Sequence, residues 1–227
     1  MTDINRTSKP LEGFEVVCAE PGDLEGMAQA HIASFPDQFA SRMGPRYLKA
    51  FYASYLNKPD GIALVARNKS TGKVLGLIVG GDPSIRKNFI KRGARRFLPL
   101  LAVKFFTDSK VRSSFIHKMA NRLRIRTSAH NDEKKDAPIP DHANGPRSAL
   151  LQVICVLAEG RGSGIASDLM ESFRQACRQA DYPVMYLTVL SSNVRAISLY
   201  RKCGWNVKTT IDETTIMERP TSEDASN

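Results

Sequence analysis

The segment Glu159-Gly160-Arg161-Gly162-Ser163-Gly164-Ile165-Ala166 separates two stretches of different period. Before it, Ala149 to Leu157 (ALLQVICVL) is almost continuously apolar. After it, Ile165, Leu169, Met170, Phe173 and Cys177 recur at helical spacing within Gly162 to Ala180. An apolar run bounded by glycines and followed by a 3.6-residue period reads as a buried strand, a tight turn and a helix. The first N–H groups of a helix have no intrahelical acceptor, so such a turn aims free donors and the positive end of the helix dipole at one point. An anion, phosphate above all, is the natural guest. Spacing narrows the choice. A Walker loop ends in Gly-Lys-Ser/Thr, but Ile165 and Ala166 follow Gly164. A G-x-G-x-x-G fingerprint would need glycine at Ile165 or at Ser167, and neither is one.

The same periodicities order the rest of the chain. Phe14 to Ala19 is β-prone, and Pro21 with Asp23 opens a helix carrying Leu24, Met27, Ala28 and Ile32. FPDQFASRMGP breaks that helix, and Tyr47, Leu48, Phe51, Tyr52 and Tyr55 form a second one ending before Pro59. Ile62–Arg67 and Val74–Val79 are apolar runs, a hairpin pair buried on both faces. Val111, Phe115, Ile116, Met119, Ala120 and Leu123 share one helical face, whereas Phe89 to Phe106 is ambiguous because Gly93 and Pro99 interrupt it. After the glycine turn come a strand at Val184–Val189, a short helix at Asn193–Lys202 and strands at Trp205–Thr210 and Thr214–Met217. These elements make one domain, residues 14–219, with tails at 1–12 and 220–227. Ser128 to Arg147 has three prolines and no aromatic residue, and reads as a disordered loop.

With 227 residues the chain can bury a core without staples. Cys18, Cys155, Cys177 and Cys203 lie far apart; the first three have apolar neighbours and read as buried, reduced thiols of an intracellular protein. His130 and His142 lack metal-ligand spacing, so no metal is expected. A polar N-terminus with charges of both signs is neither a signal nor a transit peptide, and no run is long enough to span a bilayer. The expectation is a cytoplasmic protein. Its formal charge is +10, and the excess is concentrated: Arg86 to Arg126 holds thirteen basic residues against Asp108 alone, leaving the remainder near neutral. Residues 82–126 therefore read as a basic helical insertion. It is either a flap whose charges meet solvent or an anionic, nucleotide-linked substrate, or a contact to an anionic membrane surface. No aromatic platform accompanies the charge, so nucleic acid is a weak reading.

Arg161-x-x-Gly164-x-Ala166 resembles the R/Q-x-x-G-x-G/A pyrophosphate loop of the GCN5-related N-acetyltransferases (GNAT), and Asn193-x-x-Ala196-Ile197-x-x-Tyr200 with Gly204-Trp205 is similar to that family's second signature. Asn193 is also a good N-cap, and Tyr200 could equally be a core aromatic. The resemblance covers Phe14–Gly80 by topology and Ala149–Met217 by motif, with Asp82–Ser148 as the departure. It implies an α/β fold with a mixed, mostly antiparallel central sheet and flanking helices. It further implies acyl transfer from acetyl-CoA to a primary amine. Val156, Arg161, Gly162, Ser163, Gly164, Ile165, Ala166 and Asn193 would bind the cosubstrate, and Tyr200 would protonate the leaving thiolate.

Many relatives place a carboxylate early on the strand before the loop, where this chain has Ser148-Ala149-Leu150-Leu151-Gln152. His31, Asp37 and Asp82 are the remaining candidates for a base, each more simply read as solvated or capping. The missing acid favours an acceptor of low pKa, an amino sugar or α-amine, over a lysine side chain. Two readings compete: a non-catalytic acyl-CoA-binding module and a basic-surface interaction module. A homodimer is compatible with the sequence.

Overall fold

The computed structural model describes residues 13–56, 58–109 and 147–222. In chain order these form β1 (Phe14–Cys18), α1 (Leu24–Ser34), α2 (Phe39–Met43), α3 (Pro45–Ala53), β2 (Gly61–Asn68), β3 (Val74–Gly81), α4 (Pro83–Thr107), β4 (Ser148–Val156), α5 (Ile165–Gln179), β5 (Val184–Leu190), α6 (Val194–Lys202), β6 (Asn206–Ile211) and β7 (Thr214–Pro220). The seven strands make one sheet in the order β1-β2-β3-β4-β5-β7-β6. Only β4 and β5 run parallel; every other neighbouring pair is antiparallel. The expected mixed sheet with flanking helices is therefore the observed one.

Each face of the sheet carries its own core. On one face Ile165, Leu169 and Phe173 of α5 pack with Leu75, Ile78 and Trp205. On the other, Met27 of α1 and Leu48 and Tyr52 of α3 pack with Val65, Leu77 and Val79. Alternate residues of β3 supply both cores, and all eight residues of that strand are buried, as its continuous apolar run implies. β2 is buried less completely. Phe173 closes onto Gly80, where an added Cβ would collide with the Leu150 carbonyl and come 2.6 Å from Phe173 Cζ.

Several expectations need correction. The segment read as a simple break contains α2, held by Phe39 and Met43 at i, i+4 and too short to register as a period. α4 runs unbroken through Gly93 and Pro99. Pro99 costs one backbone hydrogen bond, but Phe89 and Phe97 interlock edge-on with Tyr47 and Phe51 of α3, and this packing overrides local propensity. Arg147 is ordered rather than part of a loose loop: its guanidinium pairs with Asp60, donates to the Ala180 carbonyl and lies 4.3 Å above the Tyr182 ring. The chain is likewise anchored past 219, since Pro220 ends β7 and the Thr221 hydroxyl donates to the Tyr182 carbonyl at 2.7 Å. Cys155 and Cys177 are buried thiols, but Cys18 is exposed. The helical face expected at 111–123, and His130 and His142, lie outside the described residues.

Candidate active site

The parallel pair β4–β5 determines the site. Ser148 pairs with Val184, Ala149 with Met185 and Leu150 with Tyr186, and there the ladder stops, although β4 continues to Val156 and β5 to Leu190. The two strands part along their C-terminal halves. A helix begins just beyond the end of each, α5 after β4 and α6 after β5. Two helix N-termini facing a gap at the carboxyl ends of parallel strands is the arrangement in which open α/β sheets bind ligands.

Inside the gap the β4 backbone is unpaired on one side. The Leu157 N–H donates to the Leu75 carbonyl at 2.8 Å, so by antiparallel alternation the N–H and carbonyl of Val156, opposite Gly76, point away from β3 toward β5. Consistent with this, Arg161 Nε reaches the Val156 carbonyl at 3.3 Å.

The turn that follows supplies the donors. Gly162 and Gly164 have φ of +84° and +90°, a left-handed conformation that disfavours side chains, and nothing lies within 4 Å of where a Cβ would stand. Gly164 is the N-cap of α5, and its carbonyl accepts from the Ser167 and Asp168 N–H groups. Among the described residues the N–H groups of Gly162, Ser163 and Gly164 have no backbone acceptor, and Ile165 and Ala166 are the first two residues of the helix. Ser163 Oγ donates to the Gly160 carbonyl at 2.7 Å, which fixes the turn. The Ile165 side chain is fully buried against Gly76 and Gly160, so only its N–H is available to a ligand.

The second signature sits beside the first. Asn193 caps α6, its Oδ1 accepting from the Ala196 N–H at 3.1 Å. Tyr200 packs against Trp205 with ring centroids 6.1 Å apart, and burial, followed by the nearby Cys203 sulfur, raises its phenol to about 12. Cys203, one turn on, has its thiol pushed up by burial, an effect that Ser167 in the first turn of α5 partly offsets. The two signatures, some thirty residues apart in the chain, thus lie on the helices that follow the two strands of the gap, with Ile165 and Tyr200 in one apolar cluster.

None of the three candidate bases is free there. His31 is buried, hydrogen-bonded through Nδ1 to the Tyr52 hydroxyl at 2.5 Å, and desolvation lowers it to about 4. Asp37 pairs with Arg42 at 2.8 Å. Asp82 caps α4, accepting from the Ser84 N–H at 2.7 Å. Gln152 is the polar group that pattern reading undervalued. It is the extra residue of a bulge between Val79–Val153 and Gly80–Leu151, two positions beyond the last β4–β5 rung. Its Oε1 is enclosed and has no partner among the described residues. The signal was visible as the one amide in ALLQVICVL.

The acetyltransferase (GNAT) family model matches residues 127–205, a span that takes in the glycine turn, Asn193 and Tyr200. Both signatures therefore lie inside the match to the GNAT acetyltransferase family. No curated protein matches at a significant level. Among solved structures, the chain is similar to SsHAT (18% identity, TM-score 0.57, 93% of this chain and 100% of that one). It is also similar to yncA of Salmonella typhimurium, a putative acetyltransferase solved with its cofactor acetyl-CoA (14%, 0.53, 95% and 98%). A third is the ribosomal-protein-S18-alanine N-acetyltransferase of Escherichia coli (15%, 0.52, 95% and 98%). At these identities the neighbours establish the GNAT fold. Acetyl-CoA is the acyl donor of the family, and the left-handed glycines and free N–H groups of this domain form a cradle suited to its pyrophosphate.

Proposed function

We propose that the protein transfers an acetyl group from acetyl-CoA to a primary amine of low pKa, such as an amino sugar or an α-amine. The observation that carries this reading is the parting of β4 and β5 after Leu150 and Tyr186, with a row of unpaired N–H groups at the head of the gap. The N–H groups of residues 162–166 hold the pyrophosphate, and Arg161 adds charge beside them. Val156 presents its N–H and carbonyl to the extended arm of the cosubstrate, and that N–H is placed to stabilise a developing oxyanion. Asn193 orders the facing helix end. Bound acetyl-CoA supplies the thioester whose acyl carbon the amine attacks.

Tyr200 protonates the departing sulfur. A phenol raised to about 12 stays protonated throughout the neutral range, as a donor must. Complete transfer to a thiolate of pKa about 8.5 would be uphill by roughly 3.5 units, about 5 kcal/mol, so the proton moves in concert with C–S cleavage rather than before it. His31, Asp37 and Asp82 are each engaged elsewhere, so the amine attacks in its neutral form without a carboxylate or imidazole base. That requirement sets the acceptor class. Deprotonating an amine of pKa about 10.4 at pH 7 costs about 4.6 kcal/mol, against about 1.4 for one near 8.

Incubation with acetyl-CoA and a panel of amino sugars, amino acids, polyamines and peptides, read by mass spectrometry and by thiol release, tests the proposal. Acetylated amino sugar or α-amine is the expected product. Tight acetyl-CoA binding with no product from any class would leave a non-catalytic acyl-CoA-binding module instead.

A further inference from the structure

The Val156 carbonyl, which the extended arm of the cosubstrate needs, already has a donor. Arg161 Nε reaches it at 3.3 Å from five residues along the chain. The backbone between them brings this contact about. The Gly160 N–H donates to the Leu157 carbonyl at 2.9 Å, Ser163 Oγ donates to the Gly160 carbonyl at 2.7 Å, and a Cβ at Gly160 would come 3.1 Å from Val156 Cγ1. The chain therefore doubles back onto β4, and the Arg161 side chain reaches the edge of that strand that faces β5. A second observation puts the charge in the same place: burial raises the Cys155 thiol of β4, and the Arg161 guanidinium is among the groups that offset part of the rise. Glu159, the nearest carboxylate along the chain, is held by Lys73 at 2.7 Å, and Arg161 forms no ion pair among the described residues.

An N–H···O contact of 3.3 Å is longer than an ordinary hydrogen bond, whereas a guanidinium meets a pyrophosphate through shorter, charge-assisted bonds. Gly162 and Gly164 have nothing within 4 Å of where a Cβ would stand, which leaves the guanidinium room to swing. The exchange thus runs toward phosphate when a pyrophosphate settles on the N–H groups of residues 162–166. A thioester without one offers Arg161 no better partner. It has to displace the guanidinium to reach Val156, because both approach the same oxygen from the β5 side. We infer that Arg161 is a specificity-determining residue: it covers the arm's place on β4 and is drawn off by the pyrophosphate of coenzyme A, so that the site selects acetyl-CoA over pantetheine thioesters that lack a pyrophosphate. The inference rests on the gap being the acetyl-CoA site, and it concerns the donor, whatever the acceptor amine.

Titration calorimetry of the full chain and of R161A with coenzyme A, with pantetheine, and with pantetheine in saturating inorganic pyrophosphate tests it. In the wild type, pyrophosphate is expected to tighten pantetheine binding on the order of fivefold, the worth of one hydrogen bond, and pantetheine to tighten pyrophosphate by the same factor. In R161A the two are expected to bind independently. That variant is expected to hold coenzyme A about tenfold more weakly, yet pantetheine more tightly than the wild type does. A plain phosphate contact would produce only the first of these changes. Arg161 is exposed, so R161A is expected to melt at the wild-type temperature. Independent binding of pantetheine and pyrophosphate in the wild type overturns the inference, as does unchanged or weaker pantetheine binding in R161A. None of these titrations contains an amine, so a chain that binds coenzyme A but acetylates nothing would defeat the acyl-transfer proposal and leave this result standing.

Discussion

Leu150 of β4 and Tyr186 of β5 form the last rung between the two parallel strands. The proposed active site lies beyond it, where β4 keeps its pairing to β3 on one side and has no strand paired to its other edge among the described residues.

Gly164→Val should abolish tight acetyl-CoA binding. The residue sits at φ +90° with open space around it, so a valine would strain the turn and stand where a pyrophosphate must approach. The backbone strain should cost about 1–3 kcal/mol of stability, leaving the domain folded. Calorimetric titration should show at least a tenfold weaker complex. Unchanged affinity would remove the turn from the cosubstrate site.

Tyr200→Phe should lower turnover far more than acetyl-CoA affinity, since the ring keeps its contact with Trp205 and only the hydroxyl is lost. With the wild-type phenol at about 12, no alkaline limb in the rate profile below pH 10 should come from Tyr200. Equal kcat in the two proteins would show that another donor, water included, serves the thiolate.

Stability should be lost at both ends of the pH range, for opposite reasons. His31 is held at about 4 against an ordinary 6.5, so its contribution is complete above 6.5 and declines as pH falls toward 4, where the unfolded chain takes up the proton first. At pH 5 this amounts to about 2 kcal/mol relative to pH 8. Tyr182, Tyr186 and Tyr200 are each raised to about 12, so their neutral forms favour the fold up to about pH 10, and that advantage disappears between 10 and 12. Denaturant titrations across pH should show both declines, and His31→Gln should flatten the acid one. A His31→Gln variant with the wild-type acid slope would contradict the assignment.

Gly80→Ala should destabilise the domain by about 3 kcal/mol, because a methyl group would be driven into the Leu150 carbonyl and the Phe173 ring. A Gly80→Ala, Phe173→Leu double variant should recover part of that loss by making room. Thermal melting of the three proteins measures it; a single variant as stable as the wild type would mean that β3 and α5 can move apart.

The glycine turn, both GNAT signatures and nearly every strand could be read from the sequence, because each is encoded locally: an apolar run, a period, a glycine where the backbone turns. The path of α4 could not. Gly93 and Pro99 argue locally against a continuous helix, and only the aromatic contacts of Phe89 and Phe97 with α3 supply the energy that carries it through. The same holds for Arg147 and Thr221, polar residues in unremarkable sequence that tertiary partners tie down. Least legible was the gap itself. Alternation fixes which way a strand's side chains point, but where two strands cease to pair depends on the bulge at Gln152 and on the sheet twist around it, which involve residues far apart in the chain. The sequence by itself determined the chemistry available, the free N–H groups and the phenol of Tyr200. Tertiary packing decided that Ile165 and Tyr200 pack in one apolar cluster and that His31, Asp37 and Asp82 are already engaged, because burial and pairing are properties of contacts between segments, not of any segment alone.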